Sequence, residues 1–160
     1  MSTFNPAELA NRLQFEGEKT VEFFKTIPVD KWNEQAYTDG EHWNIHQILT
    51  HITQAEDSVS RLVAHVVSGR GGVPVDFDLD GYNQRKVKEM QEDSPENLIA
   101  LFAERRARTV SFTAKLKDTD LQKTGRHPFL GIAPVEDMLK LMYRHTQLHQ
   151  RDIRKLLGQE

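Results

Sequence analysis

Four long segments of the chain repeat apolar residues at the three- and four-residue spacing of an amphipathic helix, and this pattern constrains the fold more than any other feature. The segments run from Asn5 to Pro28, from Asn44 to the sequence SGRGG, from Ser94 through Leu116, and from Pro134 to Gly158. Asn5 precedes a proline and Asn44 forms a capping pair with Gln47, which are start signals of helices. We therefore predict four long helices.

The arrangement of these helices predicts an all-α domain over residues 1–160, a four-helix bundle of ordinary single-domain size. Residues 68–93 separate the second and third helices, whereas bundle connections normally have about 2–8 residues. Within this crossover, residues 81–90 (GYNQRKVKEM) predict a short extra helix, and the preceding VPVDFDLD is expected to lie extended on the bundle. A long crossover favours up-down-down-up order, in which the second and fourth helices are antiparallel.

Composition excludes several classes of function. Because cysteine is absent, any metal must be held by His, Asp, Glu or water, and disulfides and a cysteine nucleophile are excluded. The net charge of -3 lacks the basic footprint of nucleic-acid binding, and ERRAR, residues 104–108, is interpreted as the solvated flank of a helix. No apolar run approaches the ~20 residues of a membrane span. No signal peptide is recognisable, so we expect a cytoplasmic protein without membrane or nucleic-acid partners.

The sequence YRHTQLHQ places His145 and His149 on the apolar face of the fourth helix. At about 100° per residue, both lie within about 20° of the line through Met138, the centre of the apolar stripe. A buried imidazole without partners loses hydration worth about 1–3 kcal/mol. Two explanations stay open at this point: histidines bonded to backbone or acidic neighbours, or histidines that share a metal ion.

His51 is the best candidate for a third ligand, because it lies on the flank of the second helix's apolar stripe. It is about 10 Å from the N-terminus of its helix, and the midpoint of His145 and His149 is about 15 Å from the C-terminus of theirs. If the two helices are antiparallel, the three imidazoles therefore lie at similar heights.

The other histidines are predicted to lie at the surface. His46 and His65 project away from the apolar stripe of the second helix, and His42 precedes that helix. His127 lies in the predicted loop GRHPFLG, and it is the most plausible exception because this loop could border a cleft at the end of the bundle.

Four stretches occur in a characteristic order: HWNIHQILTHI, DLDGYNQRKV, GRHPFLGIAPVEDML and HTQLH. In this order and spacing the chain resembles the DinB/YfiT-like superfamily of four-helix-bundle metalloenzymes. It departs from the pattern at Ala133, where a Ser or Thr cap is more typical. The resemblance implies that His51, His145 and His149 bind a divalent metal, usually nickel or zinc, with a coordination position left open. It also implies a homodimer and a small-molecule substrate.

What the resemblance implies about activity is broader. Some relatives transfer low-molecular-weight thiols such as bacillithiol or mycothiol, some isomerise maleylpyruvate with a thiol cofactor, and many have no known reaction. We therefore expect a metal-dependent thiol S-transferase or hydrolase, in which the metal activates a bound thiol or water. The alternative is a stress-response protein that binds a metal or small ligand without turnover.

Two further groups of residues are candidates for binding. Gln54, Tyr82, Asn83 and Arg85 could orient the ligands or contact a substrate. The sequence DFDLDG, residues 76–81, matches the first half of a calcium loop, but position twelve, which should be glutamate, is Val87. We therefore interpret DFDLDG as a solvated acidic part of the crossover.

Overall fold

In a computed structural model, residues 4–159 are described and form a mostly helical protein. Its elements are α1 (Pro6–Lys25), α2 (Ile45–Val67), α3 (Leu79–Glu89), α4 (Pro95–Ala114) and α5 (Val135–Leu156), with strands β1 (Thr124–His127) and β2 (Gly131–Pro134). Short 3-10 turns lie at Val29–Lys31 and Asp118–Gln122. The four predicted long helices are α1, α2, α4 and α5, and the predicted helix in the crossover is α3.

The start signals read from the sequence act as predicted. Asn5 accepts a hydrogen bond from the backbone N–H of Glu8 at 2.8 Å, and Asn44 accepts one from Gln47 at 2.8 Å. In both cases the side chain at the third helical position bonds back to the cap residue's N–H, which completes a capping box. The start of α4 is capped by the Ser94 hydroxyl. These local bonds satisfy backbone donors that a helix start otherwise leaves without partners.

The directions of the helices confirm the up-down-down-up order. α1 packs against α4 and α5, and α2 also packs against α4 and α5. Hydrogen bonds join Glu16 to Gln147 and Thr20 to Gln150, so residue numbers rise together and α1 is parallel to α5. The end of α2 contacts β1, whose partner strand β2 leads directly into the start of α5, so α2 and α5 are antiparallel. This antiparallel pair is the one on which the predicted histidine site depends.

A β-hairpin before α5 was not predicted. β1 pairs antiparallel with β2 from Thr124↔Pro134 to His127↔Gly131. The strands have four residues each, which is too short for a periodic signal, so the sequence predicts a loop over this stretch. The hairpin also explains how α5 begins without a side-chain cap, because the N–H of Val135 donates to the carbonyl of Lys123 instead. The crossover attaches here as well, through a backbone bridge from Gly72 to Arg126.

The core consists of two apolar clusters with a buried polar layer between them. One cluster is centred on Phe24, Ile48 and Phe102, and the other includes Leu13, Val63 and Met138. The buried polar side chains at intermediate positions along the four long helices are Glu16, Thr20, Thr53, Glu56, Arg106, Thr146 and Gln150. A bundle with a continuous apolar core has no such layer, so these residues determine the chemistry of the interior.

Arg106 corrects the interpretation of ERRAR as a solvated flank. Its side chain is buried, and its guanidinium donates to both carboxylate oxygens of Glu56, at 2.8 and 2.9 Å, and to the carbonyl of Leu13 at 3.0 Å. The other residues of that stretch do lie at the helix surface or partly exposed. Within residues 4–159, no helix combines the length and hydropathy that crossing a membrane requires.

Candidate metal centre

Three histidines converge inside the bundle near the start of α2 and the middle of α5. His51 lies in α2, and His145 and His149 lie on successive turns of α5. The Nε2 atom of His145 is 3.0 Å from that of His51 and 2.9 Å from that of His149. Within the described residues, this is the one group of three or more His, Asp or Glu side chains close enough to share a metal ion. The predicted convergence of the three rings is confirmed.

The antiparallel packing of α2 and α5 brings these rings together. Four-residue spacing places His145 and His149 on one face of α5, with ring centroids 4.5 Å apart. His51 reaches them from the neighbouring helix and is held from behind by Trp43, whose ring centroid lies 4.7 Å away. Trp43 is itself buried, directly before the cap of α2. The ring of His51 is therefore confined between Trp43 and the two histidines of α5.

Tyr37 fixes the tautomer of His149. The Tyr37 hydroxyl donates its proton to Asp152 Oδ2 at 2.7 Å, and the hydroxyl oxygen lies 2.8 Å from His149 Nδ1. Burial and the neighbouring Asp152 raise the pKa of Tyr37 above its ordinary value, so the hydroxyl keeps its proton. Since that proton goes to Asp152, His149 Nδ1 must be the donor in the other bond. His149 Nε2 is consequently unprotonated and presents its lone pair to the other two rings.

All three rings are neutral at pH 7. Burial lowers the pKa of His51, His145 and His149 to about 3 each, and the neighbouring rings in the cluster lower these pKa values further because adjacent imidazolium charges repel. For His145, His127 and the buried Arg106 contribute to the same lowering. Neutral imidazole is the form that binds a metal ion. The cluster therefore carries no positive charge that would repel a cation.

Hydrogen bonding within the protein does not satisfy this cluster. Because His149 Nε2 presents a lone pair and an N–H can point at one neighbour at a time, at most one of the two short Nε2···Nε2 contacts of His145 is a hydrogen bond. The other contact holds two ring nitrogens within 3.0 Å of each other without a hydrogen bond between them, so these groups repel each other. A cation would neutralise that repulsion, and nitrogen ligands about 2.0–2.1 Å from zinc lie about 3.3 Å apart in a tetrahedral site. The observed separations are close to this value, so the three side chains fit a divalent metal.

A cavity of about 600 Å³ adjoins the cluster. It lies between α2, the crossover with α3, the hairpin turn and α5, and the three clustered histidines form part of its wall. Of the polar residues proposed from the sequence, Gln54, Tyr82 and Asn83 line it. Arg85 does not line it and is exposed, with its guanidinium over the Tyr82 ring. The remaining wall is mostly apolar, so the cavity can receive a small molecule next to the cluster.

Residues 12–153 match the family model described as the DinB superfamily. The chain belongs to the DinB superfamily. Among curated proteins, none matches the sequence. Membership agrees with the four-helix bundle, and it confirms the resemblance inferred from the sequence.

Solved structures of other proteins share the fold of this DinB-superfamily chain. YfiT from Bacillus subtilis, described as a probable metal-dependent hydrolase with an unusual four-helix bundle topology, has a TM-score of 0.80 at 16% identity, and the match covers 100% of this chain and 91% of YfiT. The mycothiol-dependent maleylpyruvate isomerase has a TM-score of 0.76 at 13% identity, with 95% of this chain and 63% of the isomerase covered. An uncharacterised protein from Escherichia coli UTI89 has a TM-score of 0.73 at 16% identity, covering 94% of this chain and 91% of that protein.

The other histidines of this DinB-superfamily chain only partly match their predicted surface positions. His42 is exposed, as predicted, and His65 is half-buried. His46 is not simply solvated, because its Nε2 lies 2.7 Å from the carbonyl oxygen of Asp93. For His127 the surface position was wrong, because the ring is buried at the end of β1, but the exception stated for it is confirmed, because this loop borders the cavity. The unpredicted hairpin turns this side chain inward.

Sequence reasoning missed Tyr37, Asp152 and Trp43 as parts of the site. Tyr37 lies in the irregular segment between α1 and α2, where no periodicity indicates which way a side chain points. Asp152 is three residues after His149, so it lies on the same face of the helix. This spacing was the one feature of the sequence that could have indicated its role. The acidic residues of DFDLDG are exposed, as interpreted from the sequence, and within the described residues they form no metal-binding group; Asp78 caps α3.

Proposed function

We propose that this protein is a metal-dependent enzyme acting on a small molecule, with His51, His145 and His149 holding a divalent cation, nickel or zinc. The observation that carries the proposal is the convergence of the three Nε2 atoms at the wall of a cavity of about 600 Å³. Three protein ligands beside an accessible space are the pattern of a catalytic metal site, whereas structural sites enclose the ion completely with four. A cation held there would act as a Lewis acid and lower the pKa of a water or thiol bound to it.

The chain's own residues would prepare the site. Tyr37 and Asp152 hold His149 in the tautomer that presents Nε2, so binding requires no rearrangement of that ring. The apolar wall would exclude bulk water from the reacting atoms. Lys86 and Arg144 also line the cavity and favour a substrate that carries negative charge.

Two reactions are proposed, thiol S-transfer and hydrolysis. Their support is the shared fold of YfiT, described as a probable metal-dependent hydrolase, and of the mycothiol-dependent isomerase. The chain has no cysteine, so in the first reaction the thiol must be a co-substrate rather than a protein group. The homodimer expected from the resemblance stays a prediction.

Metal analysis tests the first part of the proposal. Untagged protein is expected to contain about one nickel or zinc per chain, and the double variant His145→Ala/His149→Ala is expected to contain none. His42→Ala is the matched control, because His42 is an exposed histidine outside the cluster, and it should keep the metal. Full metal content in the double variant would refute the proposed ligands.

Activity measurements test the second part. The metal-loaded protein is assayed for consumption of a low-molecular-weight thiol with 1-chloro-2,4-dinitrobenzene, and for hydrolysis of nitrophenyl esters and anilides. Activity in either assay, retained in His42→Ala and lost in His149→Ala, supports an enzyme. Stoichiometric metal without activity in either assay favours the alternative, a protein that binds a metal or small ligand without turnover.

A further inference from the structure

His127 is buried and is held by the backbone of the hairpin turn. Only 4% of its surface is exposed. Its Nδ1 atom lies 3.0 Å from the backbone nitrogen of Phe129 and 3.2 Å from that of Leu130, and both backbone N–H groups donate to it. These two bonds cap the turn between β1 and β2.

The two backbone donors determine which nitrogen of His127 carries the proton. An atom that accepts two N–H donors must present a lone pair, so Nδ1 is unprotonated. Burial lowers the pKa of His127 to about 4, so the ring is neutral at pH 7 and its single proton is on Nε2. This N–H is shielded from solvent and has no acceptor among residues 4–159. A buried donor without an acceptor is unfavourable, and in native proteins it calls for an explanation.

The position of the ring supplies that explanation. His127 lines the cavity that also contains His51, His145 and His149 in its wall. It is close enough to His145 for a charge on one ring to lower the pKa of the other. The two nitrogens of an imidazole ring point outward in widely divergent directions, so the Nε2–H points away from the turn that Nδ1 binds and toward the interior. Because Nε2 itself has almost no exposed surface, an acceptor in the cavity reaches it when neighbouring side chains of the wall shift, as side chains at binding sites commonly do.

We propose that His127 is a ligand-contacting residue whose Nε2–H donates a hydrogen bond to an acceptor oxygen of the molecule that occupies the cavity. The ligand class is a small molecule with an apolar body and a carbonyl, ester or carboxylate oxygen. This inference rests on the proposed function only in assigning the cavity to a substrate, because the donor, its tautomer and its burial do not depend on a metal. A bond of this kind orients the ligand relative to the three histidines.

The competing explanation is that His127 only caps the turn, and two substitutions separate the two roles. His127→Asn keeps an acceptor at the position of Nδ1 and removes the Nε2–H. His127→Gln places an amide N–H at the position of Nε2 and loses the acceptor for the turn. A capping role predicts that His127→Asn resembles the wild type and His127→Gln is impaired, whereas a ligand-contacting role predicts the opposite order for ligand binding.

The probes are acetophenone, which carries one carbonyl acceptor, and cumene, which has a similar shape and no acceptor. Dissociation constants for both are measured by NMR titration of the zinc-loaded full chain. We expect the wild type and His127→Gln to bind acetophenone more tightly than cumene. In His127→Asn the ratio of the two dissociation constants should be about tenfold less favourable to acetophenone. Binding of cumene should be the same in all three proteins. An unchanged preference in His127→Asn, or no binding of acceptor probes to the wild type, would overturn the proposal.

A second readout needs no variant, so a substitution that prevents folding does not decide the result. In ¹⁵N-histidine-labelled wild type, the Nε2–H signal of His127 is expected to shift on addition of acetophenone and to stay in place with cumene. A signal that shows protonation at Nδ1, or no difference between the probes, contradicts the proposal. Neither readout requires turnover or bound metal, so repeating both with metal-free protein distinguishes failure of this inference from failure of the proposed metal function.

Discussion

The hydroxyl of Tyr37 is expected to control metal affinity, and Tyr37→Phe tests this directly. The hydroxyl lies 2.8 Å from His149 Nδ1 and 2.7 Å from Asp152 Oδ2, so the substitution removes both bonds while keeping the ring. Without its acceptor, His149 can place its proton on Nε2 instead of Nδ1, and that tautomer cannot bind a metal. Loss of such a supporting hydrogen bond typically weakens metal affinity about 10–100-fold, or about 1.4–2.7 kcal/mol. Tyr37 is half-buried, so water can replace part of the bonding and the lower part of this range is expected.

The assay is a competition titration of zinc between the metal-free protein and a chromophoric chelator at pH 7. Tyr82→Phe is the matched control, because it also removes a partly buried hydroxyl bond, 2.6 Å to Ser58, but on a part of the cavity wall away from the cluster. We expect the zinc dissociation constant to rise about tenfold or more in Tyr37→Phe and to stay within twofold in Tyr82→Phe. A value for Tyr37→Phe within twofold of the wild type would refute the assignment of the His149 tautomer and of Tyr37 as its support.

Three other substitutions or conditions address the interior. Arg106→Met should lower the free energy of unfolding by about 3–5 kcal/mol in urea titrations, because it leaves the buried carboxylate of Glu56 unpaired. The double variant Glu56→Leu/Arg106→Met removes that carboxylate as well, so it should be more stable than Arg106→Met alone. If the double variant is the less stable, the buried-charge explanation is wrong. Gly17→Ala should lower the free energy of unfolding by about 1–3 kcal/mol, although alanine has the better helix propensity, because the added Cβ would lie 2.6 Å from Arg106 Cγ. An unchanged midpoint in the urea titration would contradict this packing. Metal-free protein should lose thermal stability as the pH falls from 6.5 toward 3. Folding lowers the pKa values of the clustered histidines, so the unfolded chain binds more protons than the folded chain in that pH range. A thermal midpoint that does not change with pH in this range would contradict the neutral cluster.

The elements best predicted from the sequence are those with local causes. Asn5 and Asn44 satisfy N–H groups three residues away, so the helix starts could be read without knowledge of any distant contact. The inward direction of His145 and His149 follows from the helical repeat alone. The approach of His51 required one further inference, the antiparallel order drawn from the long crossover, and the structure confirms that order.

The wrong predictions have non-local causes. Arg106 appeared solvated because its neighbours in the sequence are charged, yet its side chain is buried by bonding to Glu56 on α2 and to a carbonyl of α1. His127 appeared to be a loop residue because strands of four residues carry no periodic signal. For Arg106, partners distant in sequence compensate for placing a charged group in the interior, and no local pattern identifies such partners. His127 is bonded only within its own turn, and it is buried because the hairpin packs against α2, α5 and the crossover.

The sequence by itself determined the helices, the face of α5 that carries two imidazoles, the absence of any thiolate ligand and the family resemblance, because each depends on residue type and spacing along a single segment. The tertiary structure alone decided that Tyr37 and Asp152 fix the tautomer of His149, that Trp43 confines His51, and that the hairpin turns His127 toward the cavity. These features depend on contacts that lie outside any single helix or strand. Hydrogen bonds and tautomers are set by which atoms meet within about 3 Å, and only the packing of the helices brings those atoms together.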